Sequence, residues 1–141
     1  PPQWGRHAIV GDRVELRVLV VEDLQRMRGL LDELFASLGG IRVVGSKATE
    51  AEARLWLEEN RGAWDVAVID LVLDQGAGMN LIRLCKELPG AGKVVVFSSF
   101  ATPGVRRHCL ELGADAVFDK SDPTGFIAFF DDLLGRENSG P

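Results

Sequence analysis

The chain's 141 residues suffice for one domain with a single buried core, and 46% hydrophobic with 26% charged residues is an ordinary globular balance. A net charge of −5 without a basic block argues against nucleic acid as a direct partner. No apolar run approaches membrane-spanning length, and the first residues lack the charged-then-apolar layout of a signal peptide.

Residues 1–14 show no clear period and read as a flexible lead-in, with Trp4 and Ile9 as candidates for surface packing. A start without Met points to a processed, excised or tagged end. Leu16 to Val21 forms the first buried strand, followed at once by Glu22-Asp23. Leu24, Met27, Leu30, Leu31, Leu34, Phe35 and Leu38 then recur at helical spacing until Gly39-Gly40 stops the helix. Ile41 to Val44 is a short second strand. Thr49 and Glu52 form a capping-box pattern for a second helix reaching about Asn60, with Ala51, Leu55 and Trp56 on its inner side.

Val66 to Ile69 is a third strand, apolar at every position and ending on Asp70. A loop with Gly76 and Gly78 leads into a helix carrying Met79, Ile82, Leu84, Cys85 and Leu88, closed by Pro89-Gly90. Val94 to Phe97 is a fourth strand ending in Ser98-Ser99. Thr102-Pro103 supplies an N-cap and first-turn pair for a helix to about Leu112, ended by Gly113. Ala116 to Phe118 is a shorter fifth strand ending at Asp119-Lys120. Asp122-Pro123 repeats the cap-then-Pro device before a last helix with Phe126, Ile127, Phe129, Phe130, Leu133 and Leu134. The folded unit spans 15–135, and 136–141 is a polar tail.

Five strands alternating with five helices specify an α/β fold with a parallel sheet covered on both faces. The first, third and fourth strands are the most uniformly apolar and belong in the middle. The shorter second and fifth suit the edges. That is the flavodoxin-like, doubly wound (βα)5 order 2-1-3-4-5, whose switch point lies between the first and third strands. There Asp23 and Asp70 face each other. Glu22, Asp23, Asp70, Ser98 and Lys120 all fall at the carboxyl edge of the sheet, where open α/β sheets bind ligands.

Three carboxylates against one ammonium leave a surplus of two negative charges, which one divalent ion cancels. Oxygen ligands with open, water-filled positions favour magnesium over zinc. Such a pocket suits phosphoryl transfer, which needs positioning and charge neutralisation more than proton transfer. Asp70 supplies the nucleophilic oxygen, magnesium neutralises two phosphoryl oxygens, the Ser98 hydroxyl reaches a third, and Lys120 pairs with the remaining charge. The plainer reading makes Glu22-Asp23 a cap on the first helix, Ser98 a satisfied strand-end hydroxyl and Lys120 a solvated loop lysine. Cys85 and Cys109 lie inside helical patterns without a CxxC pair and read as free thiols of a reducing cytoplasm. His108 reads as a surface or packing residue, and Trp56 and Trp64 as packing rather than stacking platforms.

Val-Leu-Val-Val-Glu22-Asp23, Val-Ile-Asp70, Val-Val-Val-Phe-Ser98-Ser99 and Gly113-Ala-Asp-Ala-Val-Phe-Asp-Lys120 together resemble the signature blocks of receiver domains of two-component response regulators, the CheY-like group. The resemblance implies an acidic pair at Glu22 and Asp23, phosphoacceptor Asp70, switch hydroxyl Ser98 and the family lysine at Lys120. It also implies the Val72 carbonyl as a third protein ligand to Mg2+. It implies a phosphoryl donor on a sensor histidine kinase or phosphotransfer protein, and partner or homodimer contacts through helix 4, strand 5 and helix 5, where Arg106-Arg107 and Asp131-Asp132 lie. No enzymatic turnover beyond self-phosphorylation and self-dephosphorylation is implied. The sequence departs from the family at Asp74, where Pro is common, at Val117 in the aromatic switch position, and at Ser121 after the lysine. Val72 and Phe100 flank the acceptor with apolar side chains that cannot orient a hydrolytic water, which predicts a long-lived aspartyl phosphate.

Other functions remain open on these residues. A haloacid-dehalogenase-like phosphatase wants an acid or Thr where Gln25 stands. A flavodoxin needs a hydroxyl- and Gly-rich phosphate loop where Glu22-Asp23-Leu24-Gln25 would repel phosphate. A pseudo-receiver that only binds partners is the remaining alternative. No output domain follows the last helix, which fits either a stand-alone receiver or an excised domain of a longer regulator or hybrid kinase.

Overall fold

Successive residues of a strand point to opposite faces of its sheet, so strands apolar at every position need cover on both sides. A computed structural model, which describes residues 9–10 and 13–136, supplies that cover. Its parallel sheet comprises β1 (Leu16–Val21), β2 (Ile41–Lys47), β3 (Val66–Ile69), β4 (Lys93–Ser98) and β5 (Ala116–Asp119) in the order β2-β1-β3-β4-β5. Five helices connect and follow the strands: α1 (Gln25–Leu38), α2 (Glu50–Glu59), α3 (Met79–Glu87), α4 (Pro103–Leu112) and α5 (Thr124–Leu133). This is the α/β doubly wound, flavodoxin-like (βα)5 arrangement that the strand pattern predicts.

The period of two divides the core into two layers. Val18, Val20, Val66, Val68, Val95 and Phe97 face α1 and α5, where they meet Leu31, Phe35, Phe126 and Phe130. Leu19, Val21, Ala67, Ile69, Val94 and Val96 face the other way, against Ala53, Leu57, Leu81, Ile82, Cys85 and Cys109 of α2, α3 and α4. Phe126 stacks on Phe97 with ring centroids 4.3 Å apart, tying α5 to the strand that ends on Ser98. Full burial of a side chain of that size contributes about 2–3 kcal/mol. At the amino edge of the sheet, the buried Asp65 carboxylate accepts from Arg17 N–H at 2.8 Å and Nε at 3.1 Å. Val18 then pairs with Val66 and Val21 with Ile69, so the two strands finish level at the opposite edge.

Several local expectations need correction. β2 continues through Gly45-Ser46-Lys47 and is longer than its apolar stretch, though it lies at the sheet edge as expected. A register shift between Val18 and Leu19 absorbs the extra residue, and a Cβ at Gly45 would stand 2.8 Å from the Trp56 indole. The inner face of α2 carries Ala53 and Leu57, with Trp56 half-buried; Ala51 and Leu55 face solvent. Leu24 and Leu30 are likewise exposed, whereas Leu81 in α3 is fully buried. On α5 the cap falls one residue late, at Pro123, although Asp122 still accepts the Thr124 N–H at 3.3 Å. Before β1, Ile9–Val10 pairs antiparallel with Arg13–Val14, a pairing that the composition of the lead-in does not signal. Trp4, and the polar tail after Arg136, lie outside the described residues. Among the described residues no helix is long and apolar enough to cross a membrane.

Candidate functional site

Both strands that flank the switch point end in acids because the chain must leave the sheet there, and the last ladder hydrogen bonds hold those ends fast. Asp70 N–H donates to the Val21 carbonyl at 2.9 Å, and Glu22 N–H to the Lys47 carbonyl at 2.9 Å. β5 delivers the cation: Ser98 pairs with Asp119, and Lys120 N–H donates to the Ser98 carbonyl at 3.1 Å. Lys120 Nζ then lies 2.7 Å from Glu22 Oε1 and 3.0 Å from Asp70 Oδ2, one ammonium serving two carboxylates. Glu22 and Asp70 are 2% and 6% exposed, and Asp23 is half-buried. The plain capping reading fails at α1, whose N-cap Leu24 receives no side-chain cap; the Glu22 carboxylate accepts the Leu24 N–H from two residues upstream.

Charge decides what this cluster can hold. Burial pushes the Glu22 carboxyl above its ordinary value and the Asp70 charge adds to that, outweighing the hydrogen bond from Lys120. Burial alone would lower the Lys120 ammonium, but its hydrogen bonds to Glu22 and Asp70 raise it above the ordinary lysine value. The lysine is thus held charged while the acids remain under-neutralised. Carboxylate oxygens of Glu22, Asp23 and Asp70 lie within 4.8 Å of one another, so the trio is positioned to coordinate a divalent metal ion. Three hard oxygen donors with open space beside them match magnesium or calcium better than zinc.

A cavity of about 210 Å³ opens over Asp23 and Asp70, lined also by Leu24, Val72, Ser99, Phe100 and Lys120. Val72 and Phe100 stand on its rim beside Asp70, 52% and 57% exposed. The Val72 N–H lies 3.5 Å from Asp70 Oδ1. Ser98 is fully buried and its Oγ accepts the Phe100 N–H at 3.1 Å, so it is Ser99 that lines the cavity. Of the sequence-selected residues, the structure gathers Glu22, Asp23, Asp70 and Lys120 into one cluster and sets Ser98 just behind it.

Sequence reasoning missed Gly78. A Cβ there would overlap the Asp70 carbonyl oxygen, so only glycine lets the head of α3 close against the acceptor. The two glycines after Asp70 were the available signal. Outside the pocket, Arg106 of α4 donates to the Val117 carbonyl of β5, and Asp131 pairs with Arg136 at 3.6 Å rather than with the arginines of α4. Trp64 is buried in the core, and His108 is exposed beside Glu111.

Residues 18–127 match the response regulator receiver domain family. A protein-glutamate methylesterase/protein-glutamine glutaminase of Treponema denticola is 34% identical over 102 residues, covering 71% of this chain and 27% of that protein. A counterpart from Clostridium acetobutylicum is 27% identical over 125 residues, or 86% of this chain and 36% of the relative. The chain spans 27% to 36% of the length of the methylesterase/glutaminase relatives it matches. Among solved structures, a LuxR-family two-component response regulator from Aurantimonas superposes with a TM-score of 0.75 at 26% identity, covering 87% of this chain and 88% of the other. The response regulator domain of Thermotoga maritima CheB gives 0.68 at 26% identity, covering 86% and 92%.

Proposed function

The chain belongs to the response regulator receiver domain family, and from that premise we propose that Asp70 is the phosphoacceptor of a two-component signalling switch. The observation that carries this reading is the forked ion pair at Lys120, which holds Glu22 and Asp70 together beside Asp23. Asp70 offers a nucleophilic oxygen on a backbone already fixed by its bond to Val21, so little freedom is lost on reaction. Glu22, Asp23, Asp70 and the Val72 carbonyl would hold Mg2+, which supplies charge neutralisation for phosphoryl oxygens. Lys120 stays paired with the acceptor carboxylate and answers the charge added there. Ser98 would give up the Phe100 N–H and donate its own proton to a phosphoryl oxygen, drawing on the segment that leads into α4.

A phosphohistidine on a sensor histidine kinase or phosphotransfer protein is the donor this chemistry calls for. Output would pass through α4, β5 and α5, to a partner protein or a second copy, with Arg107 and Leu110 exposed on α4. The chemistry is confined to the domain's own phosphorylation and dephosphorylation. Incubation with acetyl phosphate and magnesium, read by intact mass, tests the assignment. A phosphoryl adduct on wild type that is absent from Asp70→Asn is expected; an unmodified wild type, or an adduct retained by the variant, overturns it.

A further inference from the structure

Glu50 opens α2 and lies outside the acid pocket, yet its side chain is committed to the loop that follows Asp70. Oε1 accepts the Ala77 N–H at 2.9 Å and Asn80 Nδ2 at 3.1 Å. Its own N–H donates to the Gln75 carbonyl at 3.1 Å, and Oε2 takes Arg54 at 3.3 Å. The approach is close enough that a side chain at Gly76, where φ is +83°, would overlap Glu50. The hydrogen bonds from Ala77 and Asn80 hold this carboxyl below the usual glutamate range.

Ala77 is the point that matters. It faces Val72 across an isolated antiparallel bridge, and the next residue, Gly78, donates to the Leu71 carbonyl at 3.0 Å. Leu71 and Leu73 anchor one arm of this small loop in the core, while Asp74, Gln75 and Gly76 at its tip are exposed. Nothing in the tip's own sequence stiffens it, because Asp74 stands where a proline would restrict the backbone. From outside the loop, the far arm is held by Glu50, through its N–H to the Gln75 carbonyl and its carboxylate to the Ala77 N–H.

Resting on the phosphoacceptor reading above, we propose that Glu50 is a positioning residue for the pocket, fixing the Val72 backbone through Ala77 and so setting the pocket's affinity for a divalent cation. A loop free to move must be ordered when the cation binds, and that entropy is subtracted from affinity. Partners that orient a metal ligand from outside typically change affinity by about tenfold or more.

The test uses the full chain, with Mg2+ alone as probe and the rise in Tm with Mg2+ as readout. Glu50→Ala, and Glu50→Asp as a shortened acid that keeps the charge, should each raise the half-saturating Mg2+ roughly tenfold. Glu50→Gln keeps an acceptor for Ala77 and should stay within about twofold of wild type. Amide exchange at Ala77 should quicken in the first two variants only, and acetyl phosphate labelling at saturating Mg2+ should recover in both. Unchanged half-saturation in Glu50→Ala and Glu50→Asp overturns the proposal, as does a Glu50→Gln protein as weak as Glu50→Ala. A wild type that neither responds to Mg2+ nor takes label overturns the phosphoacceptor reading instead, so the two failures are distinct.

Discussion

Replacing Lys120 by Met tests the charge balance of the pocket directly. The ammonium is 2.7 Å from Glu22 and 3.0 Å from Asp70, with side-chain exposures of 10%, 3% and 7% for the three residues. Removing one partner of a buried pair costs about 3–5 kcal/mol, because the charge left behind has no solvent. Here two carboxylates are left, but they sit at the sheet's edge and can relieve one another by taking up a proton. The lower end, about 3 kcal/mol, is therefore expected at neutral pH, or roughly 10 °C in Tm for a domain of this size. The pH dependence has a definite sign. Glu22 already titrates above its ordinary 4.5, and the variant raises it further. The folded variant then binds a proton that the unfolded chain does not, so its deficit shrinks as pH falls towards 4.5 and grows above it. In wild type the raised Lys120 contributes stability below its ordinary 10.5, lost as pH rises through the higher folded value. Thermal melts of both proteins across the pH range, with and without Mg2+, measure this. Mg2+ should stabilise the variant more than wild type. Equal stability at neutral pH without divalent ion, or a deficit that widens in acid, would refute the reasoning.

Gly78→Ala should lose stability, because its Cβ would overlap the Asp70 carbonyl oxygen, and the folded protein should label at Asp70 at least tenfold more slowly with acetyl phosphate; unchanged stability and labelling would show that the α3 junction yields without moving Asp70. Burial pushes the Cys85 thiol up to about 12 from an ordinary 9.0, so its thiolate fraction falls about a thousandfold. Iodoacetamide at mildly alkaline pH should therefore leave Cys85 unmodified in the native state and alkylate it in urea, as peptide mass spectrometry would report. Val72→Asn with Phe100→Glu should shorten the lifetime of the phosphoprotein, since the apolar side chains of Val72 and Phe100 on the cavity rim cannot orient a hydrolytic water. Loss of label at the same rate in both proteins counts against that role.

The acid cluster was legible because Glu22 and Asp70 follow uninterrupted apolar runs, Val18 to Val21 and Val66 to Ile69, and such runs have one place in a doubly wound sheet. Which face a helix turns inward was harder to read. α2 carries Ala51, Ala53, Leu55, Trp56 and Leu57, enough apolar residues for two competing stripes, and the fold buries the one containing Ala53 and Leu57, with Trp56 against Gly45. Leu24 illustrates the same limit: it sits in phase with the apolar stripe but at the helix entrance, where it borders the pocket. Glu50 left almost no trace, because its partner Ala77 is 27 residues away and backbone N–H groups have no sequence identity. The β2 extension was hidden for a related reason: Gly45, Ser46 and Lys47 pair through the backbone and not through an apolar pattern.

The contacts of Lys120 bear on how the pocket is used as well as on how it is held. Each Glu22 oxygen has a partner, Oε1 in Lys120 and Oε2 in the Leu24 N–H, whereas Asp23 keeps its carboxylate open to the cavity. Lys120 therefore divides one charge between Glu22 and Asp70. A positive charge that joins the trio would relieve Glu22, whose carboxyl is pushed above its ordinary value by burial and by the Asp70 charge. On the phosphoacceptor reading, relief of Glu22 would free the ammonium to turn towards Asp70, where added negative charge would need it. The glutamate at this position then serves as a holding site for the lysine, and Glu22→Gln should loosen Lys120 without creating an unpaired buried charge, since the amide oxygen can still accept from Nζ.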